Sequence, residues 1–214
     1  MRWTDAPATS AGRTVAQWAS AMRQRIDGDI LAAIVRRARH ARPGGVPAVA
    51  LERAALEAAW GHVRGSALER GGLLLGEPLR GDQDDPQTAL VHVRAAVAGL
   101  DGDATAVSLR LHAGVWDAAR QALAPGEVVV GWFHSHPGIG AFFSDTDRGT
   151  QAGFFNHPFS LGWVIDPQRR EQAWFVGARS AELPPEALVV LGSAAAESLA
   201  APEASTALGD GPGN

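Results

Sequence analysis

Val128-Val129-Val130-Gly131-Trp132-Phe133-His134-Ser135-His136-Pro137 runs through Gly138-Ile139-Gly140-Ala141-Phe142-Phe143 into Ser144-Asp145-Thr146-Asp147. The opening six residues, rich in β-branched and aromatic side chains, read as a buried strand. On an extended backbone residues i and i+2 share a face, so His134 and His136 present two imidazoles side by side at the strand end. Pro137 cannot continue a central strand, and Gly138 and Gly140 allow the chain to double back. Ser144 then reads as a helix N-cap, which places Asp147 in the first helical turn, aimed at the strand end.

Two neutral imidazoles and one carboxylate suit zinc, whose catalytic sites take three protein ligands and leave a fourth position to water. His134, His136 and Asp147 are therefore the candidate ligands. A His-x-His pair carries little weight by itself in a chain with seven histidines. Ser-x-x-Asp is equally a capping-box pattern. The fixed offsets between the two make the combination informative.

His134-Ser-His136-Pro, seven residues, then Ser144-x-x-Asp147 resembles the signature of the JAMM metallopeptidases, also called the JAB or MPN-plus family. The finer pattern His-Ser-His-Pro-Gly-x-Gly resembles the members that remove ubiquitin-like modifiers in the proteasome lid and the signalosome. The family also carries a Glu before a Gly-Gly-Leu-Leu strand, matched here by Glu69-Arg70-Gly71-Gly72-Leu73-Leu74. Trp163-Val164-Ile165-Asp166-Pro167 resembles the strand and Asp-Pro turn that follow the motif. The likeness covers roughly residues 46 to 178. It implies an α/β (α+β) fold: a mixed β-sheet flanked by helices, here with an N-terminal helical extension.

Spacing alone does not choose Glu69 over Glu52, Glu57 or Glu77; the resemblance singles it out. In that scheme Glu69 is the general base and acid rather than a ligand, and the Ser144 hydroxyl stabilises the oxyanion. The implied activity is zinc-dependent hydrolysis of the bond after the C-terminus of a ubiquitin-like protein. The compact, arginine-rich chain is similar to bacterial members, some of which work beside E1- and E2-like enzymes in antiphage operons. Processing of a sulfur-carrier protein or small peptide, a metal-free MPN scaffold, and a small-molecule amidase stay open as alternatives.

Composition sets the frame. The chain has 214 residues, 46% hydrophobic content and a net charge of -4, enough for one sizeable core and without the basic excess that favours nucleic acid or an anionic membrane. Cysteine is absent, so thiolate zinc sites, disulfides and cysteine-protease chemistry are excluded. All 19 basic residues are arginine, which codon bias explains as well as avoidance of self-conjugation. The first residues lack signal-peptide features and no stretch approaches the ~20 apolar residues of a membrane span, so a cytoplasmic protein is expected.

Three segments are expected: an N-terminal helical extension over 1–45, the metallopeptidase domain over 46–180, and a C-terminal short helix with a flexible tail over 181–214. In the first, residues 14–42 show helical apolar periodicity with a break near Asp27-Gly28-Asp29 and a basic end. In the second, strands are expected at 46–51, 71–77, 89–97, 107–112, 128–133, 160–165 and 172–177, and helices at 52–67, 113–123 and 145–155. In the third, a short helix is expected from Ala187 to Leu199. The remaining histidines, at 40, 62, 92, 112 and 157, read as structural; only His157 lies close enough in sequence to the motif helix to need checking.

Overall fold

The computed structural model describes residues 12–39, 45–81, 87–99 and 113–192. The expectations for residues 1–11, for His40 and Arg42, for a strand at 107–112 and for the tail beyond 192 lie outside them. The elements run α1 (Val15–Met22), α2 (Gly28–Arg39), β1 (Ala48–Glu52), α3 (Arg53–Val63), β2 (Gly71–Arg80), β3 (Thr88–Ala98), α4 (Ala113–Ala122), β4 (Val128–Ser135), α5 (Asp145–Phe154), β5 (Leu161–Asp166), β6 (Glu171–Val176), β7 (Ala181–Glu182) and β8 (Leu188–Leu191).

Among the described residues the strands form one mixed sheet in the order β7-β6-β5-β4-β2-β3-β1-β8. The pairs β1/β3, β1/β8 and β4/β5 are parallel and the others antiparallel. This is the expected mixed sheet flanked by helices. Alternation along the strands sorts side chains onto two faces. Val49, Leu51, Leu74 and Phe133 pack with Leu56, Trp60 and Val63 of α3 on one face. On the other, Ala48, Ala50, Leu79 and Leu90 lie under α1 and α2, while Leu73, Leu75 and Trp132 lie with Val115 and Ala119 of α4.

A bulge decides which way the histidines point. Leu74 pairs with Gly131 but Leu75 pairs with Val129, leaving Val130 as the extra residue. Such an insertion resets the two-residue period. Val128 and Val130 therefore face α3, whereas Trp132 faces α4 with His134 stacked upon it, ring centroids 4.5 Å apart. Close strand approach also requires the glycine at position 72, where a Cβ would lie 2.0 Å from the Val97 carbonyl oxygen and 2.7 Å from the Phe133 ring. Gly72→Ala is expected to cost about 3 kcal/mol, read by urea denaturation.

The N-terminal helices are part of the core. Thr14 caps α1 through a box with Gln17, and Trp18 is fully buried. A break occurs, but over Arg23–Asp27 rather than at Asp27-Gly28-Asp29: the Asp27 carboxylate accepts hydrogen bonds from the Asp29 and Ile30 backbone N–H groups, so Gly28 and Asp29 already belong to α2. Thr14 bridges Arg80, at the far end of β2 from Gly71, whose partner is His134. At ~3.3 Å per residue that is about 30 Å along the strand. These helices thus cover β1 and β3 rather than the histidines.

One expected element is corrected. Leu188–Leu191 is a strand, not the beginning of a helix, and it pairs with β1. The run Leu-Val-Val-Leu is apolar and β-branched at its centre, and the open edge of β1 supplies backbone partners that outweigh the helix propensity of the alanines around it. A single 3-10 turn at Pro185–Ala187 introduces it.

Candidate metal centre

The centre is assembled at the ends of β4 and β5. Beyond β4 the chain keeps its register: the His136 N–H donates to the Ile165 carbonyl at 2.9 Å. Between the two histidines the fully buried Ser135 faces the other way. Its N–H donates to the Arg70 carbonyl at 2.8 Å, and its Oγ accepts from the Arg70 N–H at 3.0 Å. Ser135 thereby fixes the backbone next to Glu69, which lies in the loop between α3 and β2. Sequence reasoning gave Ser135 no role.

Past Pro137 the chain turns through Gly138 (φ 82°) and Gly140 (φ 97°), a left-handed conformation that favours glycine. The clamp on this turn is Asp166, whose side chain has no solvent exposure. One carboxylate oxygen accepts the N–H groups of Gly138, Gln168 and Arg169 at 3.0, 2.9 and 3.0 Å, and the other accepts that of Gly140 at 2.6 Å. Burial alone would raise its pKa, yet these four donors hold it below the ordinary aspartate value. The chain then enters α5 through a capping box: the Ser144 Oγ accepts from the Asp147 N–H at 3.2 Å, and the Asp147 carboxylate accepts from the Ser144 N–H at 2.7 Å.

These connections bring the candidate ligands together. His134 Nε2 lies 3.1 Å from His136 Nε2 and 3.1 Å from one Asp147 oxygen, while His136 Nε2 lies 3.5 Å from the other. A tetrahedral zinc with ligands at 2.0–2.1 Å has donor-to-donor edges of about 3.3 Å; one donor atom from each of the three residues lies within 4.8 Å of the others, a cluster that could hold such an ion. They form the group of three or more His, Asp and Glu donors found among the described residues. Glu69 points at the same centre, with its carboxylate 4.0 Å from His136 Nε2.

The electrostatics divide the two acids. Burial raises the pKa of Glu69 above the ordinary glutamate value, and the two imidazoles only partly oppose it. Burial acts in the same sense on Asp147, but hydrogen bonds with His134 and His136 and from Ser144 hold that carboxyl well below the usual range. For His136, burial works against the charged ring but is outweighed by Asp147 and Glu69, leaving its pKa above the ordinary imidazole value. The surroundings thus drive the two carboxyls apart, Asp147 toward the charged form and Glu69 toward the protonated one.

Ser144 is placed within this group with its hydroxyl already engaged, donating to Asp147 at 2.7 Å. Its observed partner is the carboxylate of a candidate ligand. Among the other histidines, His157 stacks on Phe159 and His92 pairs with Glu52 and meets the edge of Trp18. His62 meets the edge of Phe133. His40 and His112 lie outside the described residues.

A family model described as prokaryotic homologs of the JAB domain matches residues 51–177. Over 99 residues the chain is 36% identical to the NAD(+) hydrolase TcpA of Theionarchaea archaeon, covering 46% of this chain and 27% of that protein. Over 105 residues it is 36% identical to the 26S proteasome regulatory subunit rpn11 of Schizosaccharomyces pombe, covering 48% of this chain and 32% of that one. The chain spans a third or less of the length of these curated relatives. The solution structure of protein DSY2949 from Desulfitobacterium hafniense superposes with a TM-score of 0.44 at 24% identity, over 66% of this chain and 92% of that one.

Proposed function

Because the chain belongs to the prokaryotic homologs of the JAB domain, we propose that it is a zinc-dependent peptidase that hydrolyses the peptide or isopeptide bond after the C-terminus of a ubiquitin-like protein. The observation that carries this reading is the convergence of His134, His136 and Asp147, with one donor atom of each within 4.8 Å of the others and Glu69 beside them. Two buried imidazoles whose Nε2 atoms face each other beside a carboxylate favour a metal-binding reading over a metal-free scaffold. When bound, zinc supplies Lewis acidity, activating a water and polarising the scissile carbonyl.

The chain's own residues do the rest. His134, His136 and Asp147 hold the ion, and Asp147 brings the permanent negative charge. Glu69, with its raised pKa, accepts a proton from the attacking water and returns it to the departing amine, so that water is consumed and an acid and an amine are released. Ser144 fixes Asp147 and, by turning its hydroxyl away from that carboxylate, donates to the developing oxyanion. Ser144→Ala is expected to lower turnover by roughly 10²-fold while weakening the α5 cap by about 1 kcal/mol, read by steady-state kinetics and thermal unfolding.

No helix of the described residues is long and apolar enough to cross a membrane. The proposed setting is the cytoplasm, beside E1- and E2-like enzymes encoded nearby in an antiphage operon. The test is incubation with linear fusions of candidate ubiquitin-like proteins, with and without a chelator, read by intact mass. Cleavage after the modifier's last residue, abolished by chelator and restored by zinc, is the expected result. Zinc-loaded protein that leaves every fusion intact contradicts the substrate class.

A further inference from the structure

Gln151 lies fully buried on α5, one turn beyond Asp147 and on the same helix face. Its side-chain oxygen accepts the Trp132 indole N–H at 2.7 Å. An indole nitrogen can only donate, so this contact fixes the orientation of the amide and turns its nitrogen away. That nitrogen donates to the carbonyls of Phe155 at 3.1 Å and Ser160 at 2.9 Å, with the Gly177 carbonyl at 3.4 Å. The floor beneath is shaped to receive it: a Cβ at Gly162 would lie 3.0 Å from the Gln151 oxygen and 2.3 Å from the Phe143 ring.

The indole held by Gln151 is the one on which His134 is stacked, 4.5 Å between centroids and 8° from parallel. One amide therefore touches two things that aim ligands. Through Trp132 it sets the plane of the His134 ring, and through its carbonyl bonds it fixes the roll of α5, which carries Asp147. We infer that Gln151 is a positioning residue for the metal centre, coupling a histidine ligand on β4 to the carboxylate ligand on α5. This rests on the reading that His134, His136 and Asp147 bind a divalent ion, and it assigns Gln151 no contact with substrate or metal.

The experiment uses cobalt(II) as a spectroscopic stand-in for zinc on the 214-residue chain. Gln151→Leu keeps the volume and removes every hydrogen bond; Trp132→Phe leaves an aromatic ring against His134 but removes the N–H that reaches Gln151. For Gln151→Leu, cobalt affinity is expected to fall about 10-fold, the low end of the range for groups that hydrogen-bond a ligand directly, because Gln151 reaches the ligands through Trp132 and α5. The visible bands of the four-coordinate ion are expected to shift and weaken, with titrations run where thermal unfolding shows the variant folded. Trp132→Phe should move both readouts the same way by a smaller factor, and the double variant should add little to Gln151→Leu, because the two act through one chain of contacts.

Folded Gln151→Leu with wild-type bands and affinity within twofold of wild type overturns the inference, since a purely structural residue lowers the melting temperature and leaves the site unchanged. Should Gln151→Leu not fold, Trp132→Phe decides by the same two readouts. Wild-type protein that binds no cobalt and no zinc overturns the underlying metal reading, and the inference with it.

Discussion

Glu69→Gln is expected to retain one zinc per chain and to lose turnover on the order of 10³-fold, the size of a positioned general base. Glutamine keeps the shape of the side chain and cannot accept the water's proton. Its distance from His136, 4.0 Å, places Glu69 beside the donors without requiring it as one of them. The same variant is expected to be at least as stable as the parent when metal-free. The folded-state pKa of Glu69 is raised, so any stability its ionisation equilibrium contributes is present below the unfolded value and lost as pH rises through the folded one. At neutral pH the partly buried charge is therefore a cost that glutamine removes. Zinc content, cleavage rate and melting temperature of the metal-free protein check the three parts; a variant as active as the parent removes Glu69 from the chemistry.

Asp166→Ala is expected to be the most damaging change outside the ligands, costing about 3–5 kcal/mol, as for other broken buried networks. It leaves the N–H groups of Gly138, Gly140, Gln168 and Arg169 without their shared acceptor. Two of these lie in the turn that returns the chain from His136 to Asp147, so zinc affinity should fall with stability. A pH signature accompanies this. The folded pKa of Asp166 is lowered, so its contribution is complete above the unfolded value of about 3.9 and is lost as pH falls through the folded one. Asp147, Glu52 and Glu127 are lowered as well and act in the same window. Urea unfolding at pH 7 and at a series of values below 4 measures both effects. Asp166→Asn should show a shallower acid-side loss than the parent, and an identical slope contradicts the role given to its charge.

The clustering of the candidate ligands was legible because each part of it is local. His134 and His136 share a face through the strand period alone, and Ser144 and Asp147 announce a capping box that the helix confirms. Glu69 needed the family likeness, since its placement depends on Ser135 holding Arg70 across two strands, a contact without a pattern in either segment. Asp166 stood in a recognised Asp-Pro turn, but that its carboxylate reaches back 26 and 28 residues to the glycines is a tertiary fact. Gln151 offered only its i+4 relation to Asp147, a hint without its indole partner.

The fold was readable by the same rule. Strands rich in β-branched or aromatic residues, such as β3, β4 and β5, declared themselves. β8 did not, because its four residues are flanked by helix-forming alanines and its partner β1 lies at residues 48–52. The bulge at Val130 left no mark beyond Gly131, although it turns the strand end so that His134 rests on Trp132. Likewise the periodicity of residues 14–39 gave an apolar face without saying what it covers. The structure places that face on β1 and β3.

The central claim is that a single divalent ion sits between two imidazoles and one carboxylate. X-ray absorption at the zinc K-edge on the purified protein measures this directly. The account predicts one zinc per chain with two imidazole nitrogens and a carboxylate oxygen at about 2.0–2.1 Å, a pattern lost in Asp147→Ala and in the double variant His134→Ala/His136→Ala. Protein purified in excess zinc that carries none, or a spectrum unchanged in those variants, contradicts it.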